Sequence, residues 1–477
     1  MRMVERHHLL PGAAAFAAAL FVALLGLSAG ARESGPARAG VVELQLLGVN
    51  DFHGHLEPPE PAVGGAAWLG AWLDRAAASH PDRTIRVHAG DMVGVSPLIS
   101  SHFDDEPTIE ATNLMGLDVG TLGNHEFDEG GAEALRLVRR ARYPYVAANT
   151  VSREGGELIL PPYRIVERSG AKVGFIGVTT KDTPYFLLSQ FAREYRWLDL
   201  SESVNRWVAE LRARGVEAIV VLAHAGAFGD GRRAAGEIVD EARQMDDAVD
   251  VVIAGHTHSE LNLRVGGKLI VEALSYGTAF DRVRLTVDRT SGDVVAKSAL
   301  VVATRHGGIR PDPELATLVE RHRQAVAPLA ERVVGHAAGA LDNAAVDRIA
   351  VRSERAWAGA DLAFLNPGNT RSEIGAGPIT YAEAAEVQAY EHPVWRLRMR
   401  GADLLEAMAE QPGLLVSGPR DLDPQATYTV AANGIVAERE PFAHAIEREQ
   451  LGTDLDALTA WLSRDRSTGA LYASTRP

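Results

Sequence analysis

A chain of 477 residues exceeds what one hydrophobic core usually organises, so two domains of unequal size are expected. Its 46% apolar and 23% charged residues belong to a folded globular protein and exclude a disordered or fibrous one. The formal charge of −15, with no basic run, disfavours binding to a nucleic-acid backbone or an anionic membrane, and an acidic protein that handles anions needs local positive charge, which metal ions can supply.

The N-terminus carries Arg2 and Arg6, then an uncharged apolar run from Leu9 to Ala31 that closes with Ala29-Gly30-Ala31. This reads as a signal peptide over residues 1–31, cleaved near Ala31, with an uncleaved anchor as the alternative. The protein is therefore expected to be secreted, periplasmic or at the cell surface, with no membrane span after cleavage. There is no cysteine. Disulfides, thiolate nucleophiles and Cys-ligated zinc are excluded, and a metal site must be built from His, Asp, Glu and Asn.

The first predicted strand, Val41 to Asn50, ends in Asp51-Phe52-His53-Gly54-His55. In an extended chain, side chains at i and i+2 point the same way, so Asp51 and His53 can face one ion, or they form an ordinary polar turn. A helix over 64–78 puts Trp68, Leu69, Trp72 and Leu73 on one core face. A second strand from Thr84 ends in Gly90-Asp91, and a helix-like stretch from Glu110 to Met115 leads to the apolar segment Leu117 to Leu122. That segment runs into Gly123-Asn124-His125-Glu126-Phe127-Asp128, a polar cluster where a site at the carboxyl end of a buried strand should lie, although Asn-His pairs also occur in plain turns.

After a helix over 132–142, strands follow at 145–149, 163–167 and 172–179. A helix over 201–214, N-capped by Ser201, precedes the strand 218–223, which ends at His224. The strand 249–254 ends in Gly255-His256-Thr257-His258, where alternate imidazoles of an extended chain could each reach a metal, or form a buried structural pair. Strands at 268–273, 282–287 and 294–302 complete a layered α/β domain over 41–305. Residues 306–313, rich in Gly, Pro and charge, read as a linker, followed by a helix with Leu315, Val319, His322, Val326 and Leu329 that Pro328 strains or ends. A smaller domain should occupy 334–477.

Five polar clusters thus each follow an apolar strand, and strand ends on one side of a sheet converge. In order, spacing and identity these motifs, over 51–258, resemble the calcineurin-like metallophosphoesterases, specifically the secreted 5′-nucleotidase and UDP-sugar hydrolase branch. The resemblance implies an α-β-β-α sandwich over 41–305, a linker and connecting helix over 306–333, and an α+β substrate-recognition domain over 334–477. It implies two divalent ions, zinc, manganese, iron or cobalt. Asp51, His53 and His258 would hold one, Asn124, His224 and His256 the other, with Asp91 bridging. It further implies attack by a metal-bound hydroxide on phosphorus, with His125, oriented by Asp128, stabilising or protonating the departing oxygen. His55, His88 and His102 match no ligand position.

In the second domain, Asn366-Pro367-Gly368-Asn369-Thr370-Arg371 resembles the family's substrate loop, and Tyr390 falls at its first stacking ring, with a half-buried core tyrosine as the alternative. Two departures stand out. The region from Asn343 to Ala360 is short and lacks the usual Leu-Gly-Asn helix start, and the Gly-Gly-Asp loop carrying the second ring is missing after Asn433, leaving Phe442 as its candidate substitute. The resemblance implies release of phosphate from nucleoside 5′-monophosphates, with UDP-sugars or 2′,3′-cyclic nucleotides as runner-up substrates. A catalytically silent binding protein on the same fold should have lost ligands, whereas all seven are present.

Overall fold

A computed structural model describes residues 40–229 and 233–464. The signal-like segment 1–31 lies outside the described residues. Two six-stranded sheets stack face to face. The first runs in the order Val294–Ala303, Ala279–Asp288, Val41–Val49, Thr84–His88, Val119–Thr121, Tyr145–Val146; the second runs Glu260–Val265, Lys268–Ala273, Val249–Ala254, Ala218–His224, Ala171–Thr179, Tyr163–Arg168. The four strands from 41 to 146 are parallel, as are the four central strands of the second sheet. Parallel strands buried on both faces read as near-continuous aliphatic runs, as Ala218–His224 and Val249–Ala254 do.

Between the sheets lie Leu44, Leu46, Ile85 and Val87 from one side and Phe175, Val220, Leu222 and Ile253 from the other. Helix Ala66–Ala77 covers the outer face of the first sheet through Leu69 and Leu73, and helix Leu200–Ala213 covers the second through Val204, Val208 and Leu211. This is the α-β-β-α layering that the resemblance implied. One cap differs from the sequence reading. Asp199, not Ser201, caps the helix Leu200–Ala213, its carboxylate accepting the Glu202 N–H, because Ser201 already lies inside the first turn.

The chain then enters helix Pro313–Ala330, started by Asp312 and carrying Pro328 in its last turn, where the ring withholds one intrahelical N–H and the helix ends soon after. The remaining residues build a five-stranded sheet in the order Leu415–Ser417, Leu362–Leu365, Thr427–Asn433, Pro393–Arg400, Glu447–Thr453, flanked by helices Asn343–Ala358 and Asp454–Arg464. The opening helix forms without the Leu-Gly-Asn start because Asp342 caps it, accepting the Ala345 N–H at 2.8 Å.

Candidate metal centre

The seven residues that the strand-end motifs singled out meet at the carboxyl ends of the parallel strands. Donor atoms of Asp51, His53 and His258 lie within 4.8 Å of one another, and so do those of Asp91, His224 and His256. Asp91 lies between the groups, its Oδ2 3.0 Å from His224 Nε2 and 3.7 Å from His53 Nε2. Asn124 joins the second group, its Oδ1 3.1 Å from His224 Nε2.

The loops that deliver these side chains are not extended, contrary to the sequence reading. Asp51, His53, Asp91, His256 and His258 all have positive φ, between 46° and 82°. This left-handed region costs a non-glycine residue roughly 1–2 kcal/mol, and hydrogen bonds hold the chain there. Asp51 N–H donates to Gly90 O, His53 N–H to Asp91 O, Tyr276 N–H to Asp51 O, and His256 N–H to the Asp51 carboxylate. The two imidazoles of His256-Thr-His258 consequently serve different groups rather than one. Gly90, at φ 90°, lets the loops touch: a Cβ there would lie 2.5 Å from the Gly123 nitrogen.

The donor set has the chemistry of a cation site. His224 Nδ1–H donates to Ala89 O at 2.9 Å and His53 Nδ1–H to Gly94 O at 2.9 Å, so each ring turns the lone pair of Nε2 inward. Around the His224 lone pair are Asp91 Oδ2 and Asn124 Oδ1, and around that of His53 are His258 Nε2 at 3.2 Å and the two carboxylates. Acceptors facing acceptors at this spacing, nearly all buried, require positive charge between them. In the protein alone a proton is drawn in. Burial lowers the pKa of His224, but the Asp91 carboxylate outweighs it and pushes the imidazole up to about 10. His53 is pushed down to about 3, chiefly by burial, and Asp91 is held well below its ordinary value by His224 and His125 despite its burial. The residues therefore fit two divalent ions.

His125 is outside both groups. Its Nδ1 lies 2.7 Å from Asp128 Oδ2, its backbone N–H donates to Asp91 Oδ1, and its ring packs edge-on at 5.1 Å from His53. Burial lowers its pKa, yet Asp128 and Asp91 prevail and hold it above its ordinary value. From the C-terminal domain, Tyr390 approaches to 5.9 Å of the His125 ring centroid, and Arg371 lines a pocket with His53, His55 and Tyr276. Asn366 and Gly368 lie in the same loop. Asn366 Oδ1 accepts from Asn433 Nδ2, and Gly368, at φ 78°, makes the turn.

Phe442 corrects the sequence reading. Its ring is fully buried and packs edge-on against Phe364 at 5.0 Å in the domain core, because the short turns around 434–444 fold it inward, so it faces no ligand. Three contributors were not foreseen. The Glu126 carboxylate accepts the N–H groups of Asp91, Met92 and Gly123. Glu272 accepts from Thr257 and Ser259, bracing the loop that carries both imidazoles. Tyr276 stacks on His55 at 3.9 Å and borders both His53 and His258. Of these only Glu126 lies in a motif that the sequence flags.

The calcineurin-like phosphoesterase pattern matches residues 44–260, and the 5′-nucleotidase C-terminal domain pattern matches 324–420. The chain is 32% identical over 465 residues to endonuclease YhcR of Bacillus subtilis, covering 86% of this chain and 38% of that protein. It is 33% identical to the cell wall protein Lmo0130 of Listeria monocytogenes, covering 79% of this chain and 57% of that one. The chain thus spans less than two thirds of either relative's length. Its fold superimposes on the 5′-nucleotidase precursor of Thermus thermophilus with a TM-score of 0.75 at 24% identity, over 89% of this chain and 97% of that one.

Proposed function

This chain belongs to the calcineurin-like phosphoesterases and carries a 5′-nucleotidase C-terminal domain, and from that premise we propose that it hydrolyses nucleoside 5′-monophosphates outside the cytoplasm. The observation that carries this reading is the convergence of inward-facing acceptors on two ion positions beside a His-Asp pair, with Arg371 and Tyr390 brought to the same place. Two divalent ions, held by Asp51, His53 and His258 and by Asn124, His224 and His256 with Asp91 shared, would supply a nucleophile at neutral pH and neutralise phosphoryl charge.

The protein's own groups do the rest. Asp128 accepts a hydrogen bond from His125 Nδ1–H and favours the charged form of the ring, so the opposite nitrogen can donate to the oxygen that leaves phosphorus. Arg371 offers a planar, permanently charged donor to the phosphoryl or sugar oxygens. Carboxylates of Asp104, Glu129 and Glu133 line the cleft beyond His125 and disfavour a polyanion there. The signal-like segment 1–31 and the relative named as a cell wall protein support export. Among the described residues no helix is long and apolar enough to cross a membrane.

The burial of Phe442 favours a second reading, a phosphomonoester without a nucleobase, since a base loses one expected contact while the ion positions and the His-Asp pair are untouched. The test is metal content together with phosphate release from AMP, UDP-glucose, a 2′,3′-cyclic nucleotide and single-stranded DNA, with and without chelator. AMP should be turned over best, and chelation should abolish turnover until a divalent ion is restored. Turnover indifferent to chelation would sink the metal reading, and preference for DNA would replace the nucleotide with a nucleic acid.

A further inference from the structure

The cleft beside His125 is lined by aromatic rings of both domains, Phe186 and Phe191 from the first and Tyr381, Tyr390 and Trp395 from the second. Beside His125 opens a cleft of about 650 Å³ lined by Asp128 and Tyr390 and, across the domain boundary, by Phe186. Phe186 belongs to the catalytic domain, in the turn after the strand Ala171–Thr179. It is 41% exposed, unusual for a large apolar ring beside a buried polar site, and it packs edge-to-face on His256 with ring centroids 5.3 Å apart.

Its neighbours are anchored by side chains, and Phe186 by its backbone alone, its N–H donating to Thr183 O at 3.0 Å. Thr183 Oγ1 donates to Thr180 O at 2.7 Å, and Leu187 is buried in the core beneath. Ser189 N–H donates to the Glu438 carboxylate at 2.6 Å. Leu188 occupies the space left by the missing side chain of Gly434, where a Cβ would lie 2.7 Å from Leu188 Cδ2. Gly434 and Glu438 belong to the segment after Asn433 that stands in for the absent ring-bearing loop. That segment has turned its own Phe442 into the core and instead grips the loop that presents Phe186.

We propose that Phe186 is a substrate-binding residue that, with Tyr390, receives the flat heteroaromatic base of a nucleoside phosphoester, in place of the ring that the core-buried Phe442 does not supply. Such a base has a π-face for each ring, and its amino edges suit the carboxylates of Glu129 and Glu391 in the same cleft. The proposal rests on the nucleotide reading above.

The experiment compares AMP with ribose 5-phosphate, which shares the phosphoester and lacks the base, in the wild type, Phe186→Ala and Phe186→Tyr, with metal content measured in each. In Phe186→Ala the AMP to ribose 5-phosphate ratio of kcat/KM should fall about tenfold, mainly through KM for AMP, as loss of one stacking contact implies. Phe186→Tyr should restore the ratio. A ratio unchanged in Phe186→Ala, whether both activities fall or neither does, overturns the proposal and leaves the nucleotide reading standing. Wild-type turnover of ribose 5-phosphate without AMP overturns the nucleotide reading and the proposal with it.

Discussion

At the scale of the single residue, the site separates groups that would bind ions from groups that hold those in place. Glu126 is of the second kind. Its carboxylate gathers N–H groups from Asp91 and Met92 on one loop and Gly123 on another, locking together the segments that carry Asp91, Asn124 and His125. Glu126→Ala should leave these donors unpaired and weaken divalent-ion affinity about 10–100-fold, as loss of a partner behind the ligands does; competition with a chelator reads this without relying on turnover, and unchanged affinity would refute it. His125→Ala should do the reverse, keeping both ions while turnover drops roughly 10²–10⁴-fold; loss of an ion would make His125 a ligand. The ligand candidates were legible in the sequence because each directly follows an aliphatic strand. Glu126 was not, although it lies in the most conspicuous motif, because its partners are backbone N–H groups, those of Asp91 and Met92 more than thirty residues away, and leave no mark in side-chain identity.

At the scale of elements, strands were read well wherever both faces are buried, as in Ala218–His224. The loops beyond them were misread as extended, since the positive φ of Asp51 or His258 is imposed by neighbouring strands and has no glycine to announce it. The least legible elements are the two mutually packed helices beside the C-terminal sheet. Glu354, on Asn343–Ala358, and Asp454, opening Asp454–Arg464, are fully buried, and neither Glu354 oxygen has a hydrogen-bond partner. Burial, reinforced by Asp454, raises Glu354 well above its ordinary value, and burial pushes Asp454 up to about 8 although Asn369 donates to it. Above the ordinary carboxyl pKa the unfolded chain has released these protons while the folded protein still holds them. Stability must therefore fall as pH rises from about 4 toward 8, by at most about 1.4 kcal/mol per pH unit for each proton. Glu354→Gln removes one such linkage, so its Tm should decline less than that of the wild type between about pH 5 and pH 8. Parallel curves in thermal unfolding would show that Glu354 is ionised in the folded state.

At the scale of the whole molecule, the connecting helix decides how independent the two parts are. The composition of 306–313 suggested a linker, yet helix Pro313–Ala330 buries Leu315, Leu318 and Val326 in a cluster that also contains Leu69 and Leu73 of the first domain and Leu455, Leu458 and Leu462 of the second. The fit is close. Leu315 Cδ1 fills the space beside Gly70, where a Cβ would come within 2.2 Å, and Asp312 N–H donates to Ala67 O. Sequence could not reveal this, because an apolar stripe on a helix shows that a face is covered without showing by what. Removing the helix would return three large apolar side chains and their partners to water, at about 1.5–3 kcal/mol each, comparable with the whole stability of a typical domain. A fragment of residues 40–305 should therefore aggregate or unfold without cooperativity, whereas 40–332, which keeps the helix against Ala66–Ala77, should give a single thermal transition. The shorter fragment melting as sharply as the longer would place the helix with the C-terminal domain alone and would restore 306–313 as a free hinge between two independently stable halves.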